Sequence, residues 1–396
     1  MQMKDQNKPH IKHPFNGSRV RVPITIDRGE MGAIFDDAAW ELLWPTPGAD
    51  PDAETLQGAA DLRTPSGTRF SIHPHRAASY RWEDIPPSFK GWLKQCKAVA
   101  GDTLIIEAVD IHAHRYDVFH EPYLTRDGPA IRRQTENFEN LAFNFACLNR
   151  NRDPEPDSQT LAKFLLLFGY YRDSVAPEPI SNIWNRVKLE PRHDADAKRS
   201  KVESKKPRAV YQLKIQVSES HPPIWRRLLI HDTATLDHLH QVIQQCMGWN
   251  GYEPHLFTIN DHFYGTPEWR PDKYLKEEVR NDYQVDLGQI AWKSSGHFLY
   301  ECGFKYTWSL EIQIEKRDLV VPDAFYPTCI DGERSSPSPC CRNLEDYAEY
   351  LKRLEDPQHF RGQKLPTWLT GYFDPDHFNL TLINKKILYR IRLGEG

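Results

Sequence analysis

Three cysteines near the C-terminal end of the chain raise the first chemical question, because thiolates bind soft metal ions. Cys329, Cys340 and Cys341 could form a zinc site together with His255 or Cys302. The spacing, with ten residues between the first two cysteines and none between the last two, is not that of a zinc knuckle. Adjacent cysteines also rarely bind one zinc ion. We therefore expect buried or free thiols here, and neither a metal nor another cofactor.

Two histidine pairs in the first half, His73 with His75 and His112 with His114, have the spacing of neighbours on one face of a strand. Two imidazoles on one face could bind a metal ion. The alternative is that these histidines are surface residues that contact phosphate groups together with neighbouring arginines. These arginines are Arg76, Arg81 and Arg115.

The composition excludes several classes of protein. A chain of 396 residues is longer than one hydrophobic core usually serves, which predicts two domains. The formal net charge of −4 gives no general attraction for nucleic acid, so such binding needs a local basic surface. No apolar run approaches the roughly 20 residues of a membrane span. The seven scattered cysteines favour reduced thiols in the cytoplasm. The sequence lacks a nucleophile elbow, a P-loop and a dinucleotide fingerprint.

The first half predicts an α+β domain over residues 21–175, with a small β-barrel-like sheet and helices, preceded by a flexible tail over 1–20. The order of strand, proline-led helix and hairpin between Arg69 and Phe119 resembles B3-type DNA-binding pseudobarrels. Basic residues alternate with aromatic ones there, as phosphate contacts with modest base reading would require. The candidate nucleic-acid contacts are Arg69, Arg76, Arg81, Lys90, Lys94, Lys97 and Arg115. The apolar run 164–168 predicts a buried helix.

A polar, basic segment over residues 176–209 predicts a linker, and a second domain follows over 210–390. Alternating apolar residues predict strands at 211–217 and 224–230. A helical pattern of apolar residues follows, with Thr235 as its N-cap and Gly248 at its C-terminal end. Two further strands are predicted after this helix. This order indicates a β-grasp-like α+β domain, so the whole chain is predicted to be α+β with two domains.

Several short motifs of the second half resemble the plasmid pRiA4b ORF-3-like family, also described as TnpR-like passenger proteins of insertion sequences. They are Tyr211–Ile215, Pro222–Arg227 (Pro-Pro-Ile-Trp-Arg-Arg), Leu239-His240 and Met247–Trp249. The resemblance continues to about residue 387. It implies an accessory protein of a plasmid or mobile element.

The resemblance also implies a polar site that this chain has altered. Family members typically carry two aspartates and a histidine in the later hairpin, where this chain has Gly303, Tyr306 and Leu310. An acidic pair in the loop before Cys341 is missing as well, while His255 is kept. Leucine and tyrosine cannot replace the carboxylates that a hard cation or an acid–base pair requires. The resemblance therefore implies a retained fold with a lost or altered site.

Two functional hypotheses remain. The first is a non-enzymatic binding or accessory protein of a plasmid or mobile element, with DNA as the candidate partner of the first domain. The second domain would bind an unidentified protein partner, and no membrane is involved. The alternative is a metal-dependent nuclease-like enzyme or another hydrolase that uses the remaining polar residues. These residues are Glu253, His255, Glu301 and Asp331. We favour the first hypothesis, because most ligands of the resembled family are absent.

The strand predicted at 224–230 places Trp225 and Arg227 on one face and Arg226 on the other. We expect both faces to meet protein. Trp225 would then fill the core, and one of the two arginines would pair with a carboxylate such as Asp286 or Glu311.

Overall fold

The chain forms two compact units in the computed structural model. The first comprises residues 1–188 with 352–372, and the second comprises 189–351 with 373–396. Each unit combines a sheet with helices, so the predicted two-domain α+β class is confirmed. The described residues are 13–27, 30–44, 59–73, 86–150, 155–189, 207–249, 254–265, 278–290, 296–303, 306–322, 324–338, 341–356 and 372–394.

The first unit is built on a six-stranded sheet in the order β2-β1-β5-β6-β3-β4. Strands β3 and β6 are parallel, and the other neighbours are antiparallel. Alternate residues of the central strands, such as Val20, Val22, Leu104 and Ile106, are buried. The strands are β1 (Arg19–Asp27), β2 (Glu30–Ala33), β3 (Ala60–Arg63), β4 (Arg69–Ile72), β5 (Thr103–Asp110) and β6 (Arg115–Glu121).

Five helices complete the described part of the first unit. They are α1 (Asp37–Leu43), α2 (Pro87–Gln95), α3 (Gly128–Asn149), α4 (Ser158–Leu167) and α5 (Ile180–Val187). Helix α2 packs on β4, since the rings of Phe89 and Trp92 lie 5.2 and 5.8 Å from that of Phe70.

Three expectations for this unit need correction. Phe15 is fully buried and β1 begins at Arg19, so the described residues 13–20 belong to the fold and not to a tail. Helix α5 occupies part of the predicted linker, because its Ile180, Ile183 and Val187 form an apolar face. The apolar run of α4 is only partly buried, and Phe168 directly after it is 69% exposed.

The second unit contains an eight-stranded sheet in the order β11-β10-β9-β12-β13-β7-β8-β14. Strands β10 and β11 are parallel and all other neighbours are antiparallel. The strands are β7 (Val210–Val217), β8 (Trp225–His231), β9 (His255–Ile259), β10 (His262–Gly265), β11 (Val279–Asn281), β12 (His297–Cys302), β13 (Trp308–Asp318) and β14 (Thr328–Glu333).

Helix α6 (Leu236–Met247) has the ends that the sequence predicts. The Thr235 hydroxyl accepts a hydrogen bond from the His238 amide, and Gly248 ends the helix in the left-handed conformation at φ 72°. Three further helices follow in chain order: α7 (Leu287–Ile290), α8 (Leu344–Glu355) and α9 (Leu380–Gly394). Among the described residues, no helix has the length and apolar character that a membrane crossing requires.

Candidate functional site

A cluster of polar side chains lies buried in the second unit between α6 and the sheet. His255, the first residue of β9, places its Nε2 atom 2.6 Å from the Oδ2 atom of Asp282. The ring of His240 on α6 stacks on that of His255, with centroids 3.6 Å apart and planes inclined by 8°. Tyr300 on β12 and Gln244 on α6 complete the cluster, which we call the His255 cluster.

The Tyr300 hydroxyl connects the two sides of the His255 cluster. It lies 2.8 Å from Nδ1 of His240 and accepts a hydrogen bond from Nε2 of Gln244 at 2.9 Å. A phenol has one proton, and a neutral His240 protonated on Nε2 can accept it at Nδ1. Burial raises the pKa of Tyr300 well above its usual range, and the neighbouring Cys302 acts in the same direction. Tyr300 is therefore a neutral hydrogen-bonding group, not a base or a nucleophile.

A histidine paired with a carboxylate can act as a general base when a substrate reaches it. Here His240, His255 and Asp282 are each only 3% exposed, and Tyr300 is fully buried. The hydrogen bonds of the cluster connect α6 to β12, and they connect β9 to the turn Asp282–Gln284. The geometry therefore suits an internal network that orients these elements, since buried polar groups need such partners.

The three catalytic candidates that the structure describes, His255, Glu301 and Asp331, do not meet at one place. Glu301 is buried on β12, and it faces away from Tyr300 because successive strand residues alternate. Asp331 on β14 forms an ion pair with Arg227 at 2.9 Å. Strands β12 and β14 are separated by β13, β7 and β8, which corresponds to about 19 Å. Glu253 lies outside the described residues.

Two positions where the resemblance implies an aspartate and a histidine, 303 and 310, have other roles here. Gly303 has φ +124°, and a Cβ atom there would collide with the Tyr306 carbonyl oxygen. Leu310 on β13 is fully buried and belongs to the apolar core. The hairpin thus uses these residues for its turn and for packing.

The described cysteines of the zinc hypothesis lie on different elements of the second unit. The Cys329 thiol on β14 donates to the Asp331 carbonyl oxygen at 3.4 Å, and Cys246 is buried at the end of α6. The Cys341 thiol lies 3.4 Å from the Asn343 carbonyl oxygen. Cys340 lies outside the described residues. In the described parts of the chain, no three His, Cys, Asp or Glu side chains come together as a group that could hold a metal ion.

The burial of Trp225 and Arg226 is the reverse of what the sequence predicts. Trp225 is half-buried, its indole donates to Glu333 at 3.2 Å, and Arg226 is 3% exposed. Arg227 pairs with Glu315 at 2.7 Å and with Asp331, not with the expected Asp286 or Glu311. The prediction failed because arginine is rarely buried, and only a set of carbonyl acceptors makes it possible here.

These acceptors of Arg226 come from three parts of the second unit. Its nitrogens donate at 2.7 to 3.2 Å to the carbonyl oxygens of Cys246, Trp225, Glu333 and Arg334 and to the Ser336 hydroxyl. Burial lowers the pKa of Arg226 to about 10, which still leaves it charged at neutral pH.

In the first unit, part of the predicted basic surface is exposed. Arg69 lies on the edge strand β4, Lys90 and Lys94 lie one turn apart on α2, and Lys97 follows that helix. We call these four residues the α2 basic surface; Arg69 points away from the face of β4 on which Phe70 meets α2, because successive strand residues alternate. Such a set of cations suits phosphate groups. Arg115 instead pairs with Asp110 at 2.7 Å. Arg76 and Arg81 lie outside the described residues.

The histidine pair His112 and His114 does not lie on a strand as predicted. Residues 111–114 form the turn between β5 and β6, with His114 at φ 50°. The ring of His112 contacts that of His13 at a centroid distance of 5.3 Å. His73 is exposed after β4, and His75 lies outside the described residues. A ligand pair on one strand face is therefore absent at residues 112 and 114.

Comparisons with known proteins concern the second unit. A model of the family described as plasmid pRiA4b ORF-3-like protein matches residues 209–382. Residues 209–382 are therefore similar to this family, and we call them the pRiA4b ORF-3-like domain. The uncharacterized protein y4hQ of Sinorhizobium fredii is 24% identical over 186 residues, which cover 45% of this chain and 91% of that protein. A solved structure of a protein of unknown function from Methanosarcina mazei is 24% identical at a TM-score of 0.40. It covers 45% of this chain and 98% of that one.

The pRiA4b ORF-3-like domain contains the whole His255 cluster. Sequence reasoning had named only His255 as a polar candidate. The spacing of His240 and Gln244, one helical turn apart on the predicted α6, was a usable signal that both face the same way. Asp282 carried no such signal, because it follows β11 in a short turn without a motif.

Proposed function

We propose that the chain is a non-enzymatic accessory protein of a plasmid or mobile element, and that it contacts DNA through the α2 basic surface. The described catalytic candidates lie far from one another, and this observation supports the non-enzymatic part of the proposal. His255 is enclosed with Asp282, while Glu301 and Asp331 are separated by three strands. Acid–base chemistry and metal-assisted hydrolysis both require such groups within reach of one substrate.

The family similarity of the second unit supports the mobile-element part. The family takes its name from an open reading frame of plasmid pRiA4b. This name concerns the relatives and gives no activity.

The α2 basic surface supports the contact with DNA. The chain as a whole has a formal net charge of −4, so attraction to phosphate must be local. Arg69, Lys94 and Lys97 are exposed, and α2 and β4 are held together by the packing of Phe70 on Phe89 and Trp92. A helix fixed in this way can present its lysines to a DNA backbone without a large ordering cost.

Fluorescence anisotropy with a labelled duplex at stepped salt concentrations tests this proposal on the full chain. Each phosphate contact should add about 0.9 to the slope of log affinity against log salt. The variant with Arg69, Lys90, Lys94 and Lys97 all changed to glutamine should bind more weakly and lose about 3.6 units of that slope. The control changes three basic residues of the second unit, Lys316, Arg317 and Arg342, to glutamine, and it should bind like the parent chain.

Two outcomes contradict the proposal. Equal binding and an equal salt slope in the four-residue variant would remove the α2 basic surface as the DNA contact. Turnover of a nucleic acid or ester substrate that a chelator abolishes would instead support the metal-dependent hydrolase.

A further inference from the structure

A groove of about 610 Å³ lies on the first unit between α3 and the turn Tyr170–Arg172, which follows α4. Its volume is in the range of roughly 300–1,000 Å³ that is common for binding sites. Two contacts join its walls. The rings of Phe138 and Tyr171 meet edge to face with centroids 4.9 Å apart, and Gln134 donates to Asp173 at 3.0 Å. The groove is therefore formed before any ligand binds.

The wall that α3 contributes continues along the helix as an exposed strip. Its residues are alternately three and four positions apart, which is the spacing through which helices pack in coiled coils. At 1.5 Å per residue the strip is about 21 Å long. We call it the α3 strip, and its residues are Gln134, Asn137, Leu141, Asn144 and Leu148. Leu148 is 84% exposed, and both asparagines are exposed as well, so these side chains are accessible to a partner.

Aromatic rings widen the apolar part of this surface. Phe145 lies one turn from both leucines of the α3 strip, and its ring is 5.3 Å from that of Phe164 on α4. The ring of Phe164 in turn lies 4.7 Å from that of Phe168, which is 69% exposed. Exposed leucine and aromatic side chains in one patch are typical of surfaces that a partner protein covers.

The charges beside the groove favour an acidic partner. Arg133 is exposed one helical turn before Asn137, and Arg172 is exposed on the opposite wall, where it donates to the Pro14 carbonyl oxygen. Neither arginine forms an ion pair with a carboxylate within the described ranges of the chain. Asp173 is the neighbour of Arg172 and is already bonded to a carboxamide. Acidic side chains are therefore attracted to this end of the strip.

We propose that the groove and the α3 strip are a docking site for an acidic, amphipathic helix of a partner protein. A short segment fits better than a second folded copy. A strip about 21 Å long and about 10 Å wide offers far less than the roughly 800 Å² per partner of a stable interface. Apolar side chains of the segment, at heptad spacing, lie on the leucines of the strip and on the aromatic rings. Its carboxylates pair with Arg133 and Arg172, and the asparagines set its register. The site uses no residue of the α2 basic surface.

Peptide selection on the full chain tests the site. The probe is a phage-displayed library of random peptides about 16 residues long, enough for a helix of about 24 Å. The recovered sequences should be acidic and should repeat apolar residues at spacings of three and four. A labelled synthetic copy of the most frequent sequence should bind in fluorescence anisotropy, and more salt should weaken its binding.

Three variants locate the bound peptide. Leu148→Glu, Phe168→Ala and Arg133→Glu change exposed side chains, so the variants should keep the fold. Each should weaken binding of the peptide about tenfold or more. The matched control is Leu124→Glu, because Leu124 is a leucine of the first unit that is 62% exposed and lies outside the strip. This control should bind the peptide like the parent chain.

The proposal is overturned if the selection recovers no peptide, or if the peptides bind the Leu148→Glu and Phe168→Ala variants as tightly as the parent chain. A dimer of the parent chain in analytical ultracentrifugation that Leu148→Glu dissociates would assign the strip to a second copy instead. Binding of a single-stranded oligonucleotide that Phe168→Ala abolishes would assign the surface to nucleic acid and would likewise overturn the proposal.

Discussion

At the scale of single residues, Arg226 shows how a permanent charge can lie inside a small domain. A guanidinium group has five N–H donors. Their acceptors are four backbone carbonyl oxygens and the Ser336 hydroxyl, and the cation also lies 4.8 Å from the centre of the Phe378 ring. No carboxylate is needed, because the carbonyl dipoles converge on one point. Arg226 thereby joins the end of α6 to β8 and to the segment after β14.

The first prediction compares two neighbouring arginines. Arg226→Lys should lower the free energy of unfolding of the second unit by about 3 kcal/mol, since an ammonium group cannot serve all these acceptors. Arg227→Lys, at a half-buried position with carboxylate partners, should cost about 1 kcal/mol or less. Native-state hydrogen exchange of the β7 and β8 amides measures both values. If both substitutions lower the free energy of unfolding equally, the buried hydrogen bonds of Arg226 contribute no more than the surface ion pairs of Arg227.

The second prediction concerns the hydroxyl group of the His255 cluster. Tyr300→Phe leaves His240 and Gln244 without this partner inside the protein, which should cost about 2 kcal/mol of unfolding free energy. Tyr283→Phe is the matched control, because Tyr283 is 40% exposed and its hydroxyl can be replaced by water. Hydrogen exchange of β9 and β12 amides would report the difference. A Tyr300→Phe variant as stable as the parent would contradict the role of the network.

At the scale of elements, Asp36 joins the starts of two helices in the first unit. It is the N-cap of α1, where it accepts from the Ala39 amide at 3.1 Å, and it also accepts from the Ser181 amide of α5 at 3.4 Å. Burial raises the pKa of Asp36 to about 6, although these amide donors lower it. The effect of burial on the pKa of Asp36 is therefore larger than the opposite effect of the amide donors at the two helix starts.

The third prediction is a pH dependence that follows from this shift. The pKa of Asp36 is higher in the folded unit than the ordinary value of 3.8, so the folded state binds the proton more tightly. The stability that this proton contributes is complete below about pH 4 and is lost as the pH rises through about 6. The loss should amount to about 1 to 2 kcal/mol, because the half-buried carboxyl keeps part of its hydration.

Urea unfolding of the first unit between pH 4 and 7 measures this dependence. Asp36→Asn keeps the capping oxygen but cannot titrate, so the difference in stability between the parent chain and this variant should change over that range. A constant difference would show that Asp36 ionises in the folded state as it does in the unfolded chain.

Several elements could be predicted from the sequence because their signals are local. The ends of α6 follow from Thr235 and Gly248, and β7 follows from alternation at 210–217. The failures depend on contacts that are distant in the sequence. Trp225 is half-buried and does not fill the core, because Arg226 is buried instead, with carbonyl acceptors more than one hundred residues away, such as that of Glu333. Likewise the pairing of His255 with Asp282 depends on the sheet order, which places β9 and β11 on either side of β10.

At the scale of the whole molecule, the two units are not consecutive halves of the chain. Residues 352–372 belong to the first unit, although they follow most of the second in the sequence. Leu354 approaches Gly101 to within 3.8 Å of the position a Cβ atom would take, and the Tyr372 carbonyl accepts from Asn182 at 2.7 Å. The first unit is therefore complete only after residues 352–372, near the C-terminal end, have been synthesised.

The fourth prediction concerns limited trypsin digestion. The sequence of residues 192–208 is rich in lysine and arginine and has no apolar periodicity, so the first cut is expected there. The two fragments should nevertheless elute together in size-exclusion chromatography without denaturant, because residues 352–372 of the C-terminal fragment belong to the first unit. Separate elution of the fragments would contradict the contribution of this segment.

This late segment also constrains how the gene can change. Recombination at residue 188 would transfer the first 188 residues without residues 352–372, which complete their unit. The remaining part of the chain, with the pRiA4b ORF-3-like domain, would keep this segment of the first unit. Gene rearrangements that separate the two units would therefore leave the first unit incomplete. We expect the two units to be inherited together. A lineage in which the first unit occurs alone should carry its own replacement for residues 352–372.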